Sequence, residues 1–481
     1  MRFSHNLIGN QDNYKHCHYP LYPPGTEYIS SYIESRGGPF PATQFFGLQA
    51  FIREYLMNPI TLEDIDEAEF VLREQGMHFN RANWLGILED HGGFLPVEIE
   101  AVPEGLVIPA RNVLVQIINT DPKYYWATSF FETALLRSVW YPSTIGTVSW
   151  MCKQILNEAL ARTSDAPEGY VRGMFADYGA RGVSSLESAA LGGMAHLVNF
   201  HQGGTVTAQL AAKHFYNAID TVLMSGPNSE HAGFMAWGKE NEAAAIKNML
   251  DVFESAGFAL VLTDTYDHEN CVKNIIGREL KSQIESFPGL VGIRPDSGDL
   301  VQVTSDTTEW LLDIFGGETN SKGYRILPPF IRVVQGDGMT LETLPQALAE
   351  LERRGLAADN VVFAMGGGLL QRWNRDTMNF GQKASAVCVD GTWRDIAKSP
   401  VGSPFKKSKG GRLALQRRDG EYVTVPKGSI PESENVLEPV YRNGKLLRMH
   451  HFEEVRANAE VPVPRSYYEE FAVKVHAEKA G

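Results

Sequence analysis

Leu290-Val291-Gly292-Ile293-Arg294-Pro295-Asp296-Ser297-Gly298 is the stretch that decides the fold. A short apolar run stops abruptly on a charged, glycine-containing turn, as a buried strand does when it delivers a loop to the end of a sheet. Six other runs in the middle of the chain repeat the arrangement. Residues 170–176 end in Asp177-Tyr178-Gly179-Ala180-Arg181-Gly182, residues 195–200 in His201-Gln202-Gly203-Gly204-Thr205, and residues 219–224 in Ser225-Gly226-Pro227 with His231 close behind. Residues 258–263 end in Asp264-Thr265-Tyr266-Asp267, 330–334 in Gln335-Gly336-Asp337-Gly338, and 361–365 in Gly366-Gly367-Gly368. Helix-like stretches at 206–216, 240–255, 269–285, 303–315 and 341–354 separate most of them. Strands alternating with helices of this length specify a parallel sheet. The expected fold is α/β: an irregular seven-stranded parallel α/β barrel whose chemistry lies at the C-terminal strand ends, where the loops converge.

The flanks read differently. Residues 1–150 mix apolar runs such as 107–115 with helix-like segments at 44–56 and 65–74, and 143–162 reads as a long amphipathic helix. Beyond 386, turn-rich sequence carries short strands at 412–416, 422–425 and 440–442, followed by an Asn443-Gly444 hairpin turn. The expected division is therefore 1–150 as the N-terminal part of an α+β domain, 151–385 as the barrel, and 386–481 as a segment rejoining the α+β domain.

Among 481 residues, 44 Lys and Arg face 58 Asp and Glu, a net charge of −14. That balance argues against nucleic acid as a partner, and it requires any phosphate site to gather its cations locally. Four scattered cysteines without a C-x-x-C pair fit reduced thiols. The N-terminus shows no apolar signal region, and no apolar run approaches the ~18 residues of a membrane span, so a cytoplasmic protein is expected.

Asp264, Asp296 and Asp337 each directly follow an apolar run. Carboxylates there can bind ribose hydroxyls, or Mg²⁺ on a pyrophosphate. A single such Asp reads equally as a helix N-cap; three at one barrel mouth read as function. Gly366-Gly367-Gly368 ahead of Leu369-Leu370-Gln371 has the form of a strand–glycine–helix phosphate cradle. Arg36, Arg294, Arg375 and Lys383 are candidates for the cationic patch, Tyr14 and Tyr178 for flat faces against an aromatic ring, and His231 for a nucleophile. The run of Lys398, Lys406, Lys407, Lys409 and Arg412 reads as a solvated charge cluster.

Read together, these pieces resemble the nicotinamide phosphoribosyltransferases, dimeric type II phosphoribosyltransferases. The likeness runs from Asp12-Asn13-Tyr14-Lys15 and Ser31–Arg36 through Arg181–Ser185, Ala195–Phe200, Ala236–Lys239, Ile293–Gly298, Gln335–Gly338 and Gly366–Gln371 to Lys407–Leu413. It implies transfer of phosphoribose from phosphoribosyl pyrophosphate to nicotinamide, giving nicotinamide mononucleotide and pyrophosphate in NAD salvage, with Mg²⁺ carried mainly by the pyrophosphate and with ATP as an activating co-substrate. It implies that Arg294, Asp296, Gly336 and Asp337 hold ribose and pyrophosphate, with Asp264 beside them, and that Gly366, Gly367 and Arg375 hold the 5′-phosphate. Tyr178 would stack on the pyridine, and Tyr14, next to Asp12, would cover its other face from a second subunit of a homodimer. Arg181 would lie beside the base, with Gly204 and Ser225 lining the mouth. Arg36 and Lys383 would reach phosphates across the dimer interface, and His231 would be phosphorylated by ATP.

The family that the chain resembles usually has an Asp where this chain has Gly204, a His where it has Ala176, and Ser-type contacts near Arg375 where it has Gly381. These departures fall on the base side, so nicotinate or another N-heterocyclic base is the alternative substrate, and a non-catalytic mononucleotide sensor the alternative role. An Asp restored at 204 is expected to improve use of nicotinamide by offering its amide an acceptor.

Overall fold

The apolar runs at 258–263, 290–293, 330–334 and 361–365 are strands, and they carry the parallel sheet that the sequence specifies. The computed structural model describes residues 6–399, 402 and 407–469. Its strands in this region are β1 (Phe175–Asp177), β2 (Gln202–Gly203), β3 (Phe258–Leu262), β4 (Leu290–Arg294), β5 (Ile331–Gln335) and β6 (Val361–Met365). They form one six-stranded parallel sheet in the order β2-β1-β6-β5-β4-β3. The register sets Leu262 beside Arg294, Ile331 beside Val291, Val333 beside Val361, and Met365 beside Asp177. Ala259, Val261, Val291, Ile293, Val333, Val361 and Phe363 are fully or almost fully buried. Burial on both faces explains why these strands read as unbroken apolar runs.

Two expected strands are absent. Residues 195–200 are not a strand but the end of the helix Leu186–Leu197, whose N-cap Ser185 accepts from Ser188 N–H. That helix is buried from Leu191 through Leu197, so its apolar run carries no polar face to reveal a helical period. Residues 219–224 form no strand either. This segment and the residues just after it make single parallel bridges, Met224 with Gln202 and Asn228 with Leu260. The expected crossover helices are present as Val206–Tyr216, Glu242–Val252, Leu300–Phe315 and Leu344–Arg353, while 269–285 is a π-helix over Cys271–Glu279 followed by Lys281–Ser286.

By contacts the chain divides into two compact units. One comprises Val148–Leu210 and Asp220–Arg372 and holds the parallel sheet; the other comprises Met1–Thr147, Ala211–Ile219 and Trp373–Gly481. The latter is built on a seven-stranded antiparallel sheet, in spatial order Thr392–Asp395, Gly381–Val389, Thr26–Glu34, Val115–Asn119, Val97–Ala101, Glu438–Arg442 and Lys445–Leu446. Strand Gly381–Val389 lies wholly in this sheet, with Glu34 opposite Gly381 and Tyr32 opposite Lys383. The last two strands join through Asn443 and Gly444, both at positive φ (47° and 83°), as a two-residue hairpin requires. No helix among the described residues is long and apolar enough to cross a membrane.

Candidate active site

Because Leu262 and Arg294 are register partners, the residues after β3 and β4 emerge side by side. Asp264 follows β3, Asp296 follows β4, and His231 opens the short helix His231–Met235. The imidazole Nε2 stands 3.8 Å from Asp264 Oδ1 and 3.9 Å from Asp296 Oδ2. His231 is well exposed, whereas the Asp264 side chain is only 6% exposed and its Oδ1 has no hydrogen-bond partner among the described residues. A buried carboxylate oxygen left in that state is an acceptor waiting for a donor or a cation. Arg294 is held from the other side: Nη1 donates to Asn228 Oδ1 at 2.8 Å and Nη2 to the Ser229 carbonyl at 3.3 Å. Ser229 Oγ in turn accepts from Leu262 N–H at 2.8 Å and donates to the Leu260 carbonyl.

The N-cap reading of the strand-end carboxylates goes to their neighbours. Asp267 caps by accepting from Asn270 N–H, and Asp299 by accepting from Gln302 N–H. Asp264 and Asp296, three residues earlier in each loop, are thereby left to the site. Asp337 is exposed after β5, on a turn where Gly338 takes φ 67°. Gly336 packs closely, since a Cβ there would stand 3.1 Å from Ala364 Cβ. Gly366 and Gly367 differ: a Cβ on Gly367 would meet nothing within 4 Å, and one on Gly366 only the Tyr178 carbonyl at 3.6 Å. The protein's own packing does not demand glycine there. The helix they open, Gly367–Leu370, is a single turn.

At the β1 end, Tyr178 N–H donates to the Met365 carbonyl at 3.0 Å, and its ring lies against Gly204. Arg181, in the turn Ala180–Gly182, and Ser225 are both exposed. An Asp at 204 would need the Tyr178 ring to shift, because its Cβ would stand 2.6 Å from Tyr178 Cε1. Asp177, not singled out from sequence, is buried beneath these loops. Its Oδ1 accepts from Gly179 N–H at 2.7 Å, and burial pushes its carboxyl up to about 6. It directly follows an apolar run in the sequence, as Asp264 does, and that signal could have marked it.

The remaining candidates belong to the antiparallel unit, in two places. Asp12 accepts from the Thr133 hydroxyl at 2.9 Å and from the Tyr14 hydroxyl at 3.2 Å, and Tyr14 is exposed. Arg36 and Lys383 converge over Gly381, where a Cβ would meet Arg36 Nη2 at 3.0 Å and Lys383 Nζ at 3.5 Å. Burial, with the Arg36 charge adding to it, holds the Lys383 ammonium below the usual lysine range. Arg375 pairs with Asp376 at 2.6 Å. Arg36 also lines a cavity of about 510 Å³ with Glu34, Arg111, Lys407 and Lys409. Glu34 is buried and takes Arg36 Nε at 3.3 Å and the Lys409 ammonium. Lys409 is therefore not part of a solvated cluster; Lys406 lies outside the described residues.

Comparison with known proteins identifies the family. The profile of the nicotinate phosphoribosyltransferase (NAPRTase) family matches residues 174–445, and that of the nicotinamide phosphoribosyltransferase N-terminal domain matches residues 6–99. The chain is 44% identical over 467 residues to a nicotinamide phosphoribosyltransferase of Xanthomonas campestris pv. campestris (strain 8004), covering 96% of this chain and 99% of the relative. It is 29% identical to the enzyme of that name from Acinetobacter baylyi, covering 95% and 97% of the two chains. Among solved structures it is similar in fold to nicotinate-nucleotide pyrophosphorylase from Pyrococcus furiosus (TM-score 0.62, 15% identity, 99% and 98% of the chains covered). It is similarly related to human nicotinic acid phosphoribosyltransferase (TM-score 0.57, 16% identity, 95% of each chain covered). A profile match over more than half of the sequence, and a relative matched nearly end to end, lead to one conclusion: the chain belongs to the nicotinate phosphoribosyltransferase family and is a phosphoribosyltransferase.

Proposed function

We propose that this enzyme transfers phosphoribose from phosphoribosyl pyrophosphate to nicotinamide, releasing nicotinamide mononucleotide and pyrophosphate, in the cytoplasm. The observation that carries the reading is the meeting of Asp264, Asp296, Arg294 and His231 at the C-terminal ends of β3 and β4. Departure of pyrophosphate leaves an oxocarbenium-like ribose, and the pyridine nitrogen attacks with its own lone pair, so no general base is required. Catalysis then rests on positioning and on charge: Asp296 and Asp337 on ribose and pyrophosphate, Arg294 on the leaving group. Gly336 would sit against the ribose, and Gly366 and Gly367 would leave room for backbone N–H groups to approach the 5′-phosphate. No cluster of three or more His, Cys, Asp or Glu among the described residues is placed to hold a metal. The unpartnered Asp264 oxygen suits Mg²⁺ that arrives on the pyrophosphate and needs few protein ligands. Bound there, the ion would neutralise charge developing on the leaving pyrophosphate.

ATP would phosphorylate His231, whose exposed imidazole faces both carboxylates. In a homodimer, Tyr14, Arg36 and Lys383 would come from the second copy, and the half-buried cationic pair over Gly381 supports a phosphate contact. The bridges of Met224 to Gln202 and Asn228 to Leu260 support closure of the parallel sheet as a seven-stranded barrel, the segment between them standing in for the missing strand. The test is direct. Purified protein with Mg²⁺, phosphoribosyl pyrophosphate and nicotinamide should form the mononucleotide and pyrophosphate in equal amounts. Failure with every pyridine base under those conditions would overturn the reading.

A further inference from the structure

Thr263, the residue before Asp264, gives its hydroxyl to a histidine. It is fully buried just past β3, where its N–H donates to the Arg294 carbonyl at 3.1 Å. Its Oγ1 stands 2.9 Å from His268 Nδ1, and His268 Nε2 stands 2.7 Å from Thr307 Oγ1. The Thr307 hydroxyl has a single proton, which it donates to the Val303 carbonyl at 2.6 Å. Thr307 can therefore only accept from His268. That places a proton on Nε2 and leaves Nδ1 to accept from Thr263. Burial holds the imidazole below the usual histidine range, against the pull of Asp264, Asp267, Glu269 and Asp306. The ring also packs on Trp310, with centroids 5.7 Å apart.

These bonds tie a loop at its neck. Thr263 and His268 flank Asp264-Thr265-Tyr266-Asp267, and the hydrogen bond between them closes the loop. Thr307 lies on Leu300–Phe315, the helix that follows the loop of Asp296. His268 thus fastens the loop that carries Asp264 to the helix behind the loop that carries Asp296. Asp264 Oδ1 makes no hydrogen bond of its own among the described residues, so its aim depends on the backbone beneath it. We propose that His268 is a positioning residue for Asp264, acting through Thr263 and Thr307 without touching substrate. The inference rests on the transfer reading above and adds to it the group that preorganises one of its carboxylates.

A double-mutant cycle on the full-length enzyme tests it. His268→Ala should lower kcat about ten- to a hundredfold, as a misplacement of about 1 Å does. In an Asp264→Asn background the same substitution should cost less than about twofold, because the group it positions is gone. Thr307→Val removes the acceptor of Nε2 with little change of shape, and it should show the same dependence on Asp264. That variant carries the test if His268→Ala does not fold. Equal losses in the two backgrounds overturn the proposal, since His268 would then support the fold at large. Wild-type kcat in a folded His268→Ala variant overturns it too. Inactivity of the wild-type protein on every base would instead strike the transfer reading itself.

Discussion

His231 Nε2 stands 3.8 Å from Asp264 Oδ1, outside hydrogen-bond reach but within reach of an ion pair. The gap suits a pair brought together by a third group rather than one locked to each other. If ATP phosphorylates this imidazole, the modification adds negative charge beside the pyrophosphate site. His231→Ala should then abolish the response to ATP, the ratio of rates with and without the nucleotide falling to one. Mass spectrometry under acid-sparing conditions should find phosphate on His231 of the parent enzyme and on no residue of the variant.

Asp264→Asn tests the other half of the pair. The substitution keeps the shape of a nearly buried side chain and removes the charge that the proposed mechanism sets beside Mg²⁺ on the pyrophosphate. Loss of one preorganised electrostatic group of this kind costs about a hundredfold or more in rate. Pyrophosphate release should fall by that order while thermal stability holds. A variant within a fewfold of the parent would exclude Asp264 from the chemistry.

Asp177 should leave a signature in the pH dependence of stability. Burial raises its carboxyl to about 6, so the folded chain holds this proton more tightly than the unfolded chain does. Its cost to the fold is absent below the ordinary carboxylate range, grows as pH rises from about 4 to 6, and is then constant, at roughly 3 kcal/mol. Asp177→Asn escapes that cost. The excess stability of the variant in denaturant titrations should grow from pH 4.5 to 7 and level off above. A difference flat across that range would mean that Asp177 ionises normally.

Glu34 should matter to both stability and phosphate binding. It is buried, and Arg36 and Lys409 converge on it at the wall of the cationic cavity. Glu34→Gln turns an acceptor of two cations into a group with a donor facing one of them. A loss of about 2 kcal/mol is expected, since both cations keep some access to water. KM for phosphoribosyl pyrophosphate should rise in the same variant. An unchanged melting temperature would show that the pair contributes nothing net.

The strands β3 to β6 were legible because both of their faces are buried, which leaves continuous apolar sequence bounded by polar turns. Residues 195–200 misled for the same reason: a helix buried all round also loses its period, and length alone could not separate the two. The π-helix at Cys271–Glu279 has no pattern of its own to read. In the site, Asp264, Asp296 and Arg294 could be found because each lies at or just beyond a strand end, whereas His231 could be found through the apolar run 219–224, which is not a strand. Asn228 and Ser229 could not, since their part is to hold Arg294, a residue more than sixty positions away. The role of Lys409 depends on Glu34, 375 residues distant, and the need for Gly204 depends on how one ring is turned. Local sequence carries neither fact.

The antiparallel sheet has a consequence for how the protein is made. Its three inner strands, Thr26–Glu34, Val97–Ala101 and Val115–Asn119, leave the ribosome early, yet both of their flanks wait for Gly381–Val389 and Glu438–Arg442. At ordinary rates of synthesis that delay is roughly 20–70 s. Throughout it the nascent chain offers two unpaired strand edges to any neighbour able to pair with them. A truncated product ending near residue 372 would carry the whole parallel sheet and still expose both edges. Release from a ribosome stalled near residue 372 would therefore set free a chain whose sheet has neither flank paired.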